Sequence, residues 1–178
     1  MKGNMMNWGL TIPQAILHAE KYNVDGQLIS RELDGSINST TYGASIKRSK
    51  RLANALTKLG VKTHDRVATI AWNNSRHFET YFAVSGMGAI LHTLNPRYSP
   101  DQLIYILNHA EDSVLIIDPT FIPLVESVQD KLDTVKTIII ASSKDAIPEN
   151  NLNNPLSYEE LINDCLLYTS PSPRDLRR

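Results

Sequence analysis

At 178 residues, with 42% apolar and 21% charged side chains and a net charge of −1, the chain can bury a sizeable core as a globular protein does. Its charge balance excludes an evident nucleic-acid partner, and no apolar run is long enough to span a bilayer. The opening MKGNMMNWGL has neither an apolar h-region nor a small-residue cleavage site, so a signal peptide is not expected and the cytoplasm is the expected location.

The first expected helix runs from Pro13 to Tyr22, opened by Thr11, with Ile12, Ile16 and Ala19 on one side. QLISRE and NSTTY flank Asp34-Gly35, a dipeptide that tolerates positive φ, and read together as a β-hairpin. Thr41 suits the N-cap of a helix from Tyr42 to Leu59, with Gly60 placed to end it. Lys47, Arg48, Lys50 and Arg51 are the basic cluster of that helix, opposite Ser45, Ser49, Leu52, Leu56 and Leu59. Its expected role is a solvated face, with contact to an anionic membrane or a ligand phosphate as the lesser alternative.

From Arg66 to Asp118 the pattern alternates strand and helix. VATIAW and AILHTL are strands, separated by a helix capped by Asn74 or Ser75 that aligns Phe78, Tyr81, Phe82 and Ser85 on one face. Ser99-Pro100-Asp101-Gln102 has the form of a capping box, after which Leu103, Ile106, Leu107 and Ala110 make an apolar stripe. SVLIID is an uninterrupted apolar run, as expected of a strand covered on both faces. Pro119 to Leu132 reads as one further helix, KTIIIA as the last clear strand, Ser142 to Pro155 as a surface loop and Ser157 to Asp164 as a short helix. This order predicts an α/β fold, a β-hairpin and helix followed by βαβ units in a mainly parallel sheet of about four strands.

The stretch RVATIAWNNSRHFETYFAVSGMGAILHTLNPRYSPDQLIYILNHAED resembles the N-terminal region of AMP-forming acyl-CoA synthetases, specifically the medium- and long-chain fatty acid–CoA ligase branch of the adenylate-forming superfamily. The resemblance extends from about Leu10 to Ala141. It implies that residues 1–164 are a partial AMP-binding (AMP-dependent synthetase/ligase) N-terminal domain. It also implies a parent enzyme that uses ATP, Mg²⁺ and CoA to convert an acid to an acyl-adenylate and then to an acyl-CoA. A CoA ligase for an aryl or short-chain acid, or a non-enzymatic α/β binding module, are the alternatives. The resemblance leaves a homodimer of the complete enzyme open.

In the family, the phosphate loop, the acidic metal ligand, the ribose-binding acid and the lysine of the small C-terminal domain all lie later in sequence. No catalytic residue and no metal ligand is therefore assigned, and the chain as it stands is expected to be inactive. By the same resemblance, the loop Asn95-Pro96-Arg97-Tyr98 lies near the CoA nucleotide, so that Asn95, Pro96 and Arg97 are the candidate cofactor-binding residues. Arg97 could offer a guanidinium to a phosphate, against the plainer reading of a solvated side chain beside a Pro-shaped turn. Trp72 and Phe78 could shape part of an acyl tunnel, although core packing is the ordinary fate of such aromatics. His77, His92 and His109 lack the spacing of a metal site; His92 reads as a hydrogen-bonded core residue.

From Cys165 the pattern breaks. CLLYTSPSPRD back-translates without strain to a transposase adapter used in preparing sequencing libraries, so residues 165–178 are expected to be translated adapter rather than native sequence. Tyr168-Thr169-Ser170 imitates the start of the family's phosphate loop, but Pro171 and Pro173 stand where amide donors are needed, and proline has none.

Overall fold

The computed structural model describes residues 9–165, so the segment from Leu166 onward, with its phosphate-loop mimic, lies outside the described residues; Cys165 itself is buried. Helix α1 (Ile12–Tyr22) buries none of its residues. Strands β1 (Gln27–Arg31) and β2 (Ile37–Thr41) pair antiparallel around Gly35, whose φ of 84° supplies the left-handed turn residue. Thr41 then caps α2 (Tyr42–Lys58) by accepting from the Ala44 amide.

The main sheet has five parallel strands in the order β4-β3-β5-β6-β7, built from β3 (Arg66–Ile70), β4 (Ile90–Thr93), β5 (Val114–Ile117), β6 (Thr137–Ile140) and β7 (Leu156–Ser157). The expected count was four. The fifth, β7, is a two-residue pairing with β6 at the end of the 142–155 stretch, too short to leave a period in the sequence. Helices α2, α3 (Ser75–Gly86) and α6 (Tyr158–Asn163) cover one face, burying Leu52, Leu56, Val84 and Ile162 against Val67, Val114 and Ile116. Helices α4 (Pro100–Ala110) and α5 (Ile122–Glu126) cover the other, where Leu103, Leu107 and Val125 meet Leu115 and Ile117. The alternation along β5 explains its continuous apolar run, since every side chain has a core to enter.

Ser99 forms the full capping box, its hydroxyl accepting from the Gln102 amide while the Gln102 side chain accepts from the Ser99 amide. Two expectations need correction. The single helix over Pro119–Leu132 is a 3-10 turn (Pro119–Phe121), the short α5 and a second 3-10 turn (Gln129–Lys131). Pro123 is the cause, because it has no amide to donate and its ring crowds the carbonyl one turn earlier, so a continuous helix cannot start at Pro119. The second concerns Phe78, whose ordinary fate would be the core: it is only partly buried, and the buried residues of α3 are Ser75, Glu79, Thr80, Ala83 and Val84.

Candidate functional site

In a doubly wound sheet, ligands bind outside the carboxyl ends of the strands, where successive crossovers leave in opposite directions. Here that point lies between β3 and β5: the chain leaves β3 through α3 on one face, and returns to β5 from α4 on the other. Asp118 ends β5 at this point, 1% exposed, and accepts from the Trp72 amide and, at 3.4 Å, from the Asn74 side chain. Burial raises its pKa, and those two donors partly offset the rise. Asn74 in turn caps α3 through the His77 amide at 3.0 Å. One buried carboxylate thus fixes the 71–75 turn on which the cleft rests.

The cleft, about 610 Å³, opens between β1, α3 and the carboxyl ends of β3 and β4. Leu28, Phe78, Tyr81 and Phe82 give it apolar walls, while Asn73, Asn74, His77 and Thr93 supply polar groups at its base. His77 Nε2 lies 3.3 Å from the Thr69 hydroxyl, and burial lowers its pKa, so the ring is neutral at pH 7. A neutral imidazole among amides and aromatics suits a ligand with an apolar body and one polar end. Trp72, expected to favour the core, is 49% exposed and packs at a tilt of 34° on Phe121 with centroids 5.4 Å apart; it does not line the cleft.

Beside the cleft lies a charged network that the sequence did not disclose. Arg48 of α2 donates through Nε to Glu79 at 2.7 Å and through both terminal nitrogens to Glu159 at 2.9 Å. Arg76 joins Glu159 to Glu32 of the hairpin, and the Tyr158 hydroxyl donates to Glu79 at 2.8 Å. Burial raises the Glu79 carboxyl, and Arg48 only partly offsets it. Burial would also raise Glu159, but Arg48 and Arg76 outweigh it and hold that carboxyl below its ordinary value. The expectation of a solvated basic face on α2 is corrected here: Lys47 is exposed, but Arg48 is a structural cross-link and Lys50 pairs with Glu20. A Glu on the polar side of an aromatic helix was the available signal. It becomes readable only once α2 and α6 are known to pack against that side.

Asn95, Pro96 and Arg97 follow β4 after the buried Leu94, and Asn95 and Arg97 are exposed. The Asn95 side chain accepts from the Arg97 amide at 3.0 Å and its carbonyl from the Tyr98 amide, which makes a tight turn. The Arg97 guanidinium has no ion pair among the described residues and is free to meet an anion. None of the three lines the apolar cleft. His92 donates from Nδ1 to Asp112 Oδ2 at 2.7 Å, and His109 stacks on Tyr105, so the histidines do not converge. Among the described residues, no group of three or more His, Cys, Asp or Glu is placed to hold a metal ion, and no helix is long and apolar enough to cross a membrane.

Residues 18–176 match the family model described as AMP-binding enzyme. The chain is 42% identical over 162 residues to the 3-methylmercaptopropionyl-CoA ligase of Ruegeria lacuscaerulensis, covering 91% of this chain and 30% of that protein. It is 46% identical over 138 residues to the long-chain-fatty-acid–CoA ligase of Thermus thermophilus (78% and 24%), and 38% identical over 162 to the medium-chain-fatty-acid–CoA ligase of Ectopseudomonas oleovorans (91% and 30%). Among solved structures, the anthranilate CoA ligase AuaEII with anthranoyl-AMP superposes with a TM-score of 0.73 at 22% identity, over 90% of this chain and 29% of that one. At that identity the likeness speaks for the fold. The chain spans about 30% of the length of the curated relatives it matches most extensively.

Proposed function

The chain belongs to the AMP-binding enzyme family, and on that premise we propose that it is the N-terminal part of a cytoplasmic fatty acid–CoA ligase. The parent would join a carboxylate to ATP, forming acyl-AMP and releasing pyrophosphate. The CoA thiol would then displace AMP to give the acyl-CoA. The observation supporting this most directly is the similarity to fatty acid–CoA ligases over 91% and 78% of this chain.

Within such an enzyme, this chain's own residues would bind and position rather than react. The Asn95 turn presents Arg97 beside the carboxyl end of β4, where its guanidinium would meet a phosphate of the CoA nucleotide. The aromatic cleft would accept apolar surface, each buried methylene contributing about 0.8 kcal/mol. ATP brings Mg²⁺ to such a reaction, but the described residues supply no ligand set for it, so no step is assigned to the metal here. Residues 165–178 remain read as translated adapter, which sequencing the locus beyond the codon for Asp164 tests directly.

A second reading rests on the relatives named for 3-methylmercaptopropionate, at 42% and 41% identity: the acid would be a short thioether acid. Acid-dependent ATP–pyrophosphate exchange separates the two when a polypeptide containing this chain and its downstream domain is supplied with octanoate, palmitate, 3-methylmercaptopropionate and benzoate. Preference for octanoate or palmitate supports the proposal, and preference for the thioether acid replaces it with the second reading. No exchange with any acid would make the chain part of a non-enzymatic binding module. The 178-residue chain alone is expected to show no exchange.

A further inference from the structure

Strand β4 lies at the edge of the sheet and is held by β3 alone, over Ile90–Thr93. The last bond of this ladder runs from the Leu94 amide to the Thr69 carbonyl, and the chain then enters the exposed Asn95–Tyr98 turn. That turn is bonded to itself through Asn95, so its place depends on the strand before it and the helix after it. The far end of that helix is tied down firmly. Arg66 Nε donates to the Ala110 carbonyl, the Asp112 amide donates to the Leu107 carbonyl, and the Ser113 amide donates to the Arg66 carbonyl.

One side-chain contact closes this β4–α4–β5 crossover on itself. His92 Nδ1, from the edge strand, lies 2.7 Å from Asp112 Oδ2, two residues before β5. Asp112 is completely buried, and its second oxygen, Oδ1, has no hydrogen-bond partner among the described residues. Burying a carboxylate this way is costly, and well-packed apolar side chains would close the same gap at less cost. β5 does not need the contact for its own placement, since ladders to β3 and β6 hold it on both sides. What a directional hydrogen bond adds over apolar packing is one defined register.

We propose that His92 and Asp112 are a positioning pair: a clasp across the base of the β4–α4–β5 crossover that fixes the Asn95–Tyr98 turn at the carboxyl edge of the sheet. This rests on the reading above in one respect, that the turn receives a nucleotide phosphate.

Amide hydrogen exchange on the 178-residue chain tests the clasp without reference to any ligand. His92→Ala should speed exchange of the Arg97 and Tyr98 amides about tenfold while β5 and β6 amides stay within about threefold of the parent. With His92 intact, Asp112→Asn, which keeps an acceptor for the imidazole N–H, should leave exchange at the turn slow, whereas Asp112→Ala should speed it as His92→Ala does. Unchanged exchange at Arg97 and Tyr98, or equal acceleration throughout the sheet, would overturn the clasp. If His92→Ala does not fold, His92→Phe keeps the ring volume without the donor and is judged by the same criterion. Adenosine 3′,5′-bisphosphate serves as the separate probe of the turn. If exchange responds as expected but the longer ligase does not bind this nucleotide, the clasp stands and the CoA reading fails.

Discussion

Replacing Arg48 by alanine tests the charged network most directly. Glu79 has a side chain only 2% exposed, and Arg48 is the cation that faces it, with Nε to Oε1 at 2.7 Å. The substitution leaves this carboxylate buried beside only the Tyr158 hydroxyl, and it removes the two-pronged contact to Glu159. Breaking a buried pair from one side costs about 3–5 kcal/mol, and because Arg48 itself is 29% exposed the lower end, about 3 kcal/mol, is expected. For a domain of this size that corresponds to a fall in Tm of about 6–12 °C. Lys50→Ala is the control: its pair with Glu20 is more than a third exposed on both sides, and its loss should cost less than about 1 kcal/mol.

The pH dependence has a definite sign. Glu159 has a folded pKa below its unfolded value, so its contribution is present above the unfolded value and is lost as pH falls through the folded one. Glu79 is the opposite case. Its folded pKa is raised, so it favours the folded state in acid, and that advantage is lost as pH rises through the folded value. Without Arg48, only the Tyr158 hydroxyl offsets the burial of Glu79, so the deficit of Arg48→Ala should be larger at pH 7.5 than at pH 5. Urea unfolding followed by far-UV circular dichroism measures both. A deficit no larger than that of Lys50→Ala, or one independent of pH, would refute the assignment of Glu79 as the buried charge that Arg48 holds.

Three further outcomes are expected. Ser99→Ala removes one half of the capping box and should cost about 0.5–2 kcal/mol in urea unfolding, with Ser99→Asp recovering most of it. Gly88 adopts φ +81° and a Cβ there would stand 3.2 Å from Thr63 Cγ2, so Gly88→Ala should lower stability by about 1–2 kcal/mol in the same assay. In the longer ligase, Arg97→Ala should raise KM for CoA more than KM for fatty acid. Equal changes in steady-state kinetics would remove Arg97 from the nucleotide site.

Much of the fold was legible because its signals are local. The Ser99-Pro100-Asp101-Gln102 box, Thr41 as a cap, Gly35 in the hairpin turn and the apolar run of β5 each depend on a few neighbouring residues, and each formed as expected. The misreadings share a cause. One helix over Pro119–Leu132 fitted the apolar spacing, but Pro123 outweighed periodicity. Core packing was the ordinary expectation for Phe78, yet α3 turns Glu79 inward because Arg48 and Tyr158 wait there for it. No window of sequence around Glu79 contains either partner.

By itself the sequence determined the alternation of strands and helices, the caps that bound them and the likeness to acyl-CoA ligases, all of which are written in the order of side chains along a short stretch. Only the tertiary structure decided which strand lies at the edge, that Asp118 anchors the 71–75 turn, that Glu159 reaches Arg48 from 111 positions away, and that His92 meets Asp112. Such contacts depend on the packing of whole elements, and burial sets both the cost and the strength of each charge it encloses.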